Sequence, residues 1–291
     1  MWGALADNFC DYDYAKDELE EAWKTVLLNQ FHDILPGSSI ERVYDEAEAD
    51  YEEVINIADR LTETAVNSLV ENKVVKEKVN KEDQENSVTI FNSLSWERKT
   101  LVEIPDSFTG VKTKSGKEFP VQVIDDNNMT LLELPACGWT TIEPAVESIS
   151  ENNNSELRAE KKLLENEYLK VELNNKGEIT SIVDKEKDFE VTDKLCNSFK
   201  MYQDAPSNFD AWDIDSMYKD NPVNLNNKAE IEVMSKGPLA AVIKVTRTLN
   251  NSELTQKIIL KQNSKRVDFK TSIDWQENHK LLKVNFPVNI H

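Results

Sequence analysis

Leu61-Thr62-Glu63-Thr64-Ala65-Val66-Asn67-Ser68-Leu69 closes one pattern of apolar residues, and Ser87-Val88-Thr89-Ile90-Phe91-Asn92 opens another. In the first, Leu61, Ala65 and Leu69 recur every fourth residue and so share one helix face. In the second, β-branched and aromatic residues gather in short runs, the composition of strands. Residues 71–86 between them are polar, charged and without a period, and read as a linker. The change of period makes the chain multi-domain, α first and β afterwards. Helices are expected over residues 16–75 and mainly strands after about residue 86.

Upstream of that boundary, Ile40, Val43, Tyr44, Ala47, Tyr51, Val54 and Ala58 extend the helical stripe backwards. Before it, Leu19, Trp23, Val26, Leu27, Gln30, Phe31 and Ile34 draw a second stripe. Leu35-Pro36-Gly37 is expected to end that first helix, because Pro36 disfavours helical backbone in its predecessor and Gly37 turns freely. Ser38 stands three residues before Glu41, the spacing of a capping box. The economical reading is two antiparallel helices joined by a tight turn.

Downstream, strand-like runs lie at 88–91, 100–104, 119–123, 130–134 and 139–142, separated by turn residues such as Ser115-Gly116 and Cys137-Gly138. Asn152-Asn153-Asn154-Ser155 marks a second boundary. Longer alternating runs follow at 168–173, 179–183, 229–234, 240–249, 254–260 and 267–275, with turn signals at Lys236-Gly237-Pro238 and Asn250-Asn251. They describe antiparallel sheets with one wet face. The last run, Leu281 to His291, is strand-like and reads either as an edge strand or as a chain cut within a sheet.

Composition excludes several classes of function. Thirty-four Lys and Arg stand against 54 Asp and Glu among 291 residues, a net charge of −20. Nucleic acid and anionic membranes need clustered positive charge and are not expected as partners. No apolar run reaches the roughly 18–20 residues of a membrane span. The first ten residues, from Met1 to Cys10, have neither the basic nor the apolar region of a secretory signal. Cys10, Cys137 and Cys196 are odd in number and far apart, which fits a reducing, cytoplasmic setting and three buried thiols rather than disulfides.

Two segments carry side chains suited to chemistry. His32, between Gln30-Phe31 and Asp33, is the one histidine of three in such a setting. A histidine at a helix C-terminus is also favoured by the helix dipole alone, so position leaves both a structural and a functional role open. Imidazole is the commonest metal ligand, yet a catalytic zinc needs about three protein ligands and no second histidine lies at metal spacing. The other segment is Phe209-Asp210-Ala211-Trp212-Asp213-Ile214-Asp215. Its acids and indole suit sugar hydroxyls and C–H faces, and suit a solvated acidic loop with a packed Trp equally well. A calcium loop would need Gly at its sixth position and Glu at its twelfth, and neither is present.

The string Leu27-Leu28-Asn29-Gln30-Phe31-His32-Asp33-Ile34-Leu35-Pro36-Gly37-Ser38-Ser39-Ile40 resembles the middle helical domain of the family 38 α-mannosidases. Phe91-Asn92-Ser93-Leu94-Ser95-Trp96 is similar to that family's Phe-Asn-Pro-Leu-Ser-Trp segment. Leu164 to Asp184 resembles the start of its C-terminal β-domain, and Phe209 to Asp213 a motif of its bacterial and cytosolic branch. The resemblance implies a helical hairpin or three-helix middle domain over 1–80, a small β domain over 87–147, and an incomplete galactose-mutarotase-like β-sandwich over 160–291. It also implies a parent enzyme that hydrolyses terminal α-mannosides with retention, using Zn2+ or another divalent metal. His32 maps onto a metal ligand and Asp33 onto a contact to mannose hydroxyls, with Asp210, Trp212 and Asp213 at an edge of the substrate groove. No catalytic residue is expected among the 291. The nucleophile, the acid/base and the other metal ligands belong to an N-terminal catalytic domain expected upstream of Met1. The chain alone is therefore expected to be inactive and not to hold zinc tightly. Its partner would be an α-mannoside or mannose-containing oligosaccharide, and a homo-oligomer is compatible. The alternative is a non-catalytic carbohydrate-binding or interaction module that reuses the same domains. Retained mannose binding by the isolated chain would favour that alternative.

Overall fold

The computed structural model describes residues 1–71, 87–145, 156–209, 212–225 and 228–289. The stretch 72–86, the Asn152–Ser155 boundary, Asp210 and His291 lie outside the described residues.

Three helices come first: α1 (Trp2–Phe9), α2 (Lys16–Asn29) and α3 (Glu41–Glu71). Met1 caps α1, its carbonyl accepting from Leu5 N at 3.1 Å, and is itself exposed. Asp17 and Glu18 stand in the first turn of α2, where the helix dipole favours acids. Pairings across α2 and α3 run in opposite directions. Arg60 reaches Glu18 near one end, and Asn29 donates to Asp50 at 2.8 Å near the other. The two are thus antiparallel, as the hydrophobic period predicts. The face of α2 toward α3 carries Leu19, Ala22, Val26 and Asn29, half-buried or buried. The rest of its apolar stripe is not covered: Trp23 is 60% exposed, Leu27 61% and Leu28 68%. α1, which the period analysis does not reveal, packs Ala6 against Ala65 and Leu69 of α3. Its Trp2 meets Phe91 edge-on, with ring centroids 5.0 Å apart.

Seven strands follow: β1 (Val88–Asn92), β2 (Arg98–Glu103), β3 (Val111–Thr113), β4 (Glu118–Phe119), β5 (Val121–Ile124), β6 (Asn127–Leu134) and β7 (Gly138–Pro144). They form two antiparallel sheets, β1-β7-β3-β4 and β2-β6-β5. Leu132, Leu134, Ile142, Val111 and Phe108 fill the space between them. No helix occurs between residues 90 and 145.

The remaining strands are β8 (Arg158–Glu160), β9 (Leu163–Glu165), β10 (Leu169–Leu173), β11 (Ile179–Asp184), β12 (Phe189–Glu190), β13 (Ser198–Gln203), β14 (Pro222–Val223), β15 (Ala229–Lys236), β16 (Ala240–Leu249), β17 (Ser252–Lys261), β18 (Val267–Asp274) and β19 (Lys280–Asn285). They build sheets of order β12-β11-β10-β9-β8, β14-β13-β19 and β15-β16-β17-β18, all antiparallel. Along β17 every second residue, Ser252, Leu254, Gln256, Ile258 and Leu260, is buried, the period-2 signature of one inward face. Of these, Ile258 and Leu260 pack with Val171, Leu173 and Ile179 of the five-stranded sheet. Met201 and Leu225 close one end over Leu249 and Leu254. Gly177 is required at its turn. Its φ is +70°, and a Cβ there would stand 2.5 Å from Val245 Cγ1.

Glu190 links the chain's last described segment to the five-stranded sheet through its backbone, while its carboxylate gathers donors nearby. Glu190 accepts from Ser181 Oγ at 2.5 Å, Ile182 N at 3.0 Å and Thr192 Oγ1 at 2.6 Å. Its backbone oxygen accepts from Asn289. Partial burial pushes its pKa up, but these donors outweigh that and hold it at about 2, below the ordinary 4.5. A depressed pKa contributes stability that is complete above the unfolded value and is lost as pH falls toward the folded one. The stability gap between wild type and Glu190→Gln is therefore expected to shrink as pH drops from 5 to about 2. Urea unfolding at several pH values checks it, and a gap independent of pH would refute it.

Of the three cysteines, all free, only Cys196 is buried; Cys137 is exposed, so its thiol is not the core residue expected. Among the described residues no helix is long and apolar enough to cross a membrane.

Candidate functional site

α2 stops earlier than Pro36-Gly37 predicts. It ends at Asn29, with Gln30 at φ −84° and ψ 10°, and residues 32–37 form a run of turns. The cause is tertiary. The Asn29 side-chain amide donates to Thr25 O at 3.1 Å and to Asp50, while the Asn29 backbone carbonyl accepts from Tyr51 Oη at 3.3 Å. An amide engaged in this way competes with the next helical turn. His32 and Asp33 therefore sit in the connection, beyond the helix end. Gly37 closes the turn at φ +81°, its N–H donating to Ile34 O at 3.1 Å.

The backbone at this point is fixed by three hydroxyls. Asp33 O accepts from Ser39 Oγ at 2.8 Å, Ser38 Oγ at 3.4 Å and Tyr44 Oη at 3.5 Å. Tyr44 Oη also accepts from Ser39 N at 2.6 Å. Ser38 thus turns back to the loop and makes no capping box with Glu41. Ser39 and Tyr44 are the positioning residues that sequence reasoning missed. Tyr44 falls on the apolar period of α3, which reads as core, and its hydroxyl signals nothing until the turn is folded over it.

On this mount the side chains stand free. His32 is 75% exposed and Asp33 45%, with His32 Nε2 3.8 Å from Asp33 Oδ2. The imidazole lies against the Phe31 ring, centroids 4.3 Å apart. One imidazole and one carboxylate on a held backbone suit a metal ligand and a hydroxyl acceptor. They do not complete a metal site. No group of three His, Cys, Asp or Glu side chains placed to hold a metal occurs among the described residues.

The second candidate lies elsewhere. Trp212 is 56% exposed, and its N–H and that of Asp213 both donate to Phe209 O at 2.9 Å. Phe209 takes φ +56° to close this turn. Asp213 is exposed. No hydrogen bond, ion pair or ring contact joins this loop to the His32–Asp33 turn among the described residues.

Comparison with known proteins bears on both segments. Residues 2–69, which contain His32 and Asp33, match the alpha mannosidase middle domain. Residues 164–291, which contain Trp212 and Asp213, match the glycosyl hydrolases family 38 C-terminal domain. The chain carries an alpha mannosidase middle domain and a glycosyl hydrolases family 38 C-terminal domain. Among relatives, Alpha-mannosidase 2C1 of Homo sapiens is 26% identical over 293 residues, covering 95% of this chain and 25% of that protein. Alpha-mannosidase G of Dictyostelium discoideum is 26% identical over 323 residues, covering 96% and 29%. The chain thus spans about a quarter of the length of the curated relatives it matches. Its fold is that of an alpha-mannosidase from Enterococcus faecalis V583, with a TM-score of 0.75 and 18% identity over 98% of this chain and 40% of the other.

Proposed function

We propose that this chain forms the middle and C-terminal parts of an α-mannosidase that hydrolyses terminal α-mannosides with retention and uses a divalent metal, zinc being the expected ion. The observation that carries the reading is the exposed His32–Asp33 pair on a turn held by three hydroxyls, within a segment that matches an alpha mannosidase middle domain. The names of the relatives support the mannoside.

In this reading His32 is one ligand of several, and Asp33 accepts a hydrogen bond from a mannose hydroxyl. When bound, the metal orients sugar hydroxyls and acts as a Lewis acid. Ser39 and Tyr44 do no chemistry; by fixing the Asp33 carbonyl they hold both side chains at one place. Retaining hydrolysis needs two carboxylates about 5–5.5 Å apart, and in this reading these come from polypeptide upstream of Met1. The surroundings of the turn suit such a neighbour. Trp23, Leu27, Leu28, Phe31, Leu35 and Ile40 are each more than half exposed around it, the kind of apolar rim that marks a contact surface.

The test is hydrolysis of p-nitrophenyl α-mannoside by the intact enzyme. Chelation should abolish it and zinc should restore it; hydrolysis indifferent to chelators would overturn the metal reading. Asp33→Ala should lower kcat/KM by about 10–100-fold, the cost of one hydrogen bond to a charged group in the transition state, with metal content near normal. An unchanged kcat/KM would remove Asp33 from the sugar site.

A further inference from the structure

β13 and β19 pair antiparallel with Lys200 directly opposite Lys283 and Tyr202 opposite Leu281, so both lysines point from the same face of the sheet. Phe199, Met201 and Leu282 point the other way, into the core. The 3-10 turn Ser216–Asp220 lies over the outer face. Its Tyr218 meets Tyr202 edge-on, with centroids 5.0 Å apart. Lys283 Nζ donates to Tyr218 Oη at 2.6 Å and lies 4.7 Å from the ring centre, with Lys219 Nζ at 5.8 Å.

Two ammonium groups, of Lys219 and Lys283, therefore meet at one tyrosine, and Lys200 stands opposite Lys283 on the same face, in a chain of net charge −20. Like charges directly opposite on paired strands repel. Elsewhere on this surface lysines hold carboxylates, as Lys257 holds Asp125 at 2.6 Å and Lys261 holds Asp268 at 3.0 Å. Among the described residues Lys200, Lys219 and Lys283 have no carboxylate within ion-pair distance, despite 54 acids in the chain. The hydrogen bond from Lys283 lowers the Tyr218 phenol's pKa, which reports the same positive potential. Lys200 also lines an open cavity of about 330 Å³, together with Tyr202, Pro222 and Asn224 and with the apolar Phe199, Met201 and Leu225, within the size range of small-ligand sites.

We propose that this face binds a phosphorylated hexose, its phosphate monoester between Lys200 and Lys283 and its ring in the cavity against Tyr202 and Asn224. A phosphate monoester carries between one and two negative charges at neutral pH, which matches two lysines paired on one face of the sheet better than a single carboxylate would. Tyrosine offers an apolar face for sugar C–H groups, and the Asn224 amide offers partners for hydroxyls. The inference goes beyond the metal reading and uses none of its residues; only the choice of mannose as one probe rests on it.

Isothermal titration of the 291-residue chain tests it, with mannose 6-phosphate, glucose 6-phosphate, mannose and inorganic phosphate as probes. Saturable binding of a hexose phosphate is expected, weakened by salt, with inorganic phosphate and mannose each at least about tenfold weaker, since each lacks half of the contacts. The Lys200→Gln/Lys283→Gln pair should weaken hexose phosphate binding by about tenfold or more without changing the circular dichroism, while the Lys200→Arg/Lys283→Arg pair should retain it. No saturable binding of either hexose phosphate, binding unaffected by the glutamine pair, or inorganic phosphate bound as tightly as the sugar phosphates would overturn it. A preference for glucose 6-phosphate over mannose 6-phosphate would count against the mannoside reading and leave this site standing.

Discussion

Replacing Gln122 by alanine is expected to lower the stability of the β region by about 3 kcal/mol. Gln122 is buried on β5, and its side chain carries four hydrogen bonds into the neighbouring sheet. Its Oε1 accepts from Leu239 N at 2.6 Å and Ala240 N at 2.9 Å, and its Nε2 donates to Ala240 O at 2.7 Å and to Ser235 Oγ. One amide thus satisfies the backbone where β15 turns into β16, more than a hundred residues away in sequence. Truncation leaves three backbone groups unpaired next to a cavity, and an unsatisfied buried group costs about 1–3 kcal/mol. Solvent entering the cavity would relieve part of that, so the effect falls below the simple total. Gln122→Glu keeps the shape and the acceptor but loses the donor and buries a charge, and is expected to be at least as damaging. The midpoint of urea unfolding measures both. A loss below about 0.5 kcal/mol for Gln122→Ala would mean that the clasp adds nothing to how the two β parts hold together.

Much of the fold is legible in the sequence because it depends on local period. The switch from the four-residue spacing of Leu61, Ala65 and Leu69 to the strand at Val88 needs no distant contact, and the alternation of apolar residues along β16 and β17 places Ile243, Val245, Ile258 and Leu260 inward as observed. What the period cannot show is decided by partners far along the chain. The end of α2 depends on Asp50 and Tyr51, more than twenty residues on, and a reading confined to Leu35-Pro36-Gly37 carries the helix through His32. Ser198 to Gln203 alternates, yet it becomes β13 only by pairing with β19, some eighty residues later. Gln122 looks like a wet-face residue of a half-buried strand; the chain it satisfies lies in another sheet. Polar residues inside the large sheets fail the binary pattern for the same reason. Gln256 is inward and buried because Asn197 and Thr271 meet its amide, and Arg247 is also inward, its guanidinium over the Phe199 ring at 5.0 Å.

The site is legible to a different degree. His32 and Asp33 are marked by residue type and by the specific string around them, whereas the pinning of their backbone by Ser39 and Tyr44 emerges only when the turn is folded. The Trp212 loop remains a separate feature with an exposed indole and an exposed Asp213, and Asp210 lies outside the described residues.

The central claim is that His32 is a metal ligand whose companions come from polypeptide upstream of Met1. Two expectations follow from it. Alone, one imidazole and one neighbouring carboxylate leave most of a coordination sphere to water, so equilibrium dialysis of the 291-residue chain should show no stoichiometric sub-micromolar zinc. In the intact enzyme, loss of a direct ligand should exceed the roughly 10–100-fold effect typical of an outer-shell change on metal affinity or activity. The side chain is exposed and off the packed face of α2, so His32→Ala should keep the helical circular-dichroism signal. The decisive measurement is the metal content of purified intact enzyme, wild type against His32→Ala, with p-nitrophenyl α-mannoside turnover read on the same samples. The account predicts that the variant loses both metal and turnover; full metal and full turnover in His32→Ala would contradict it.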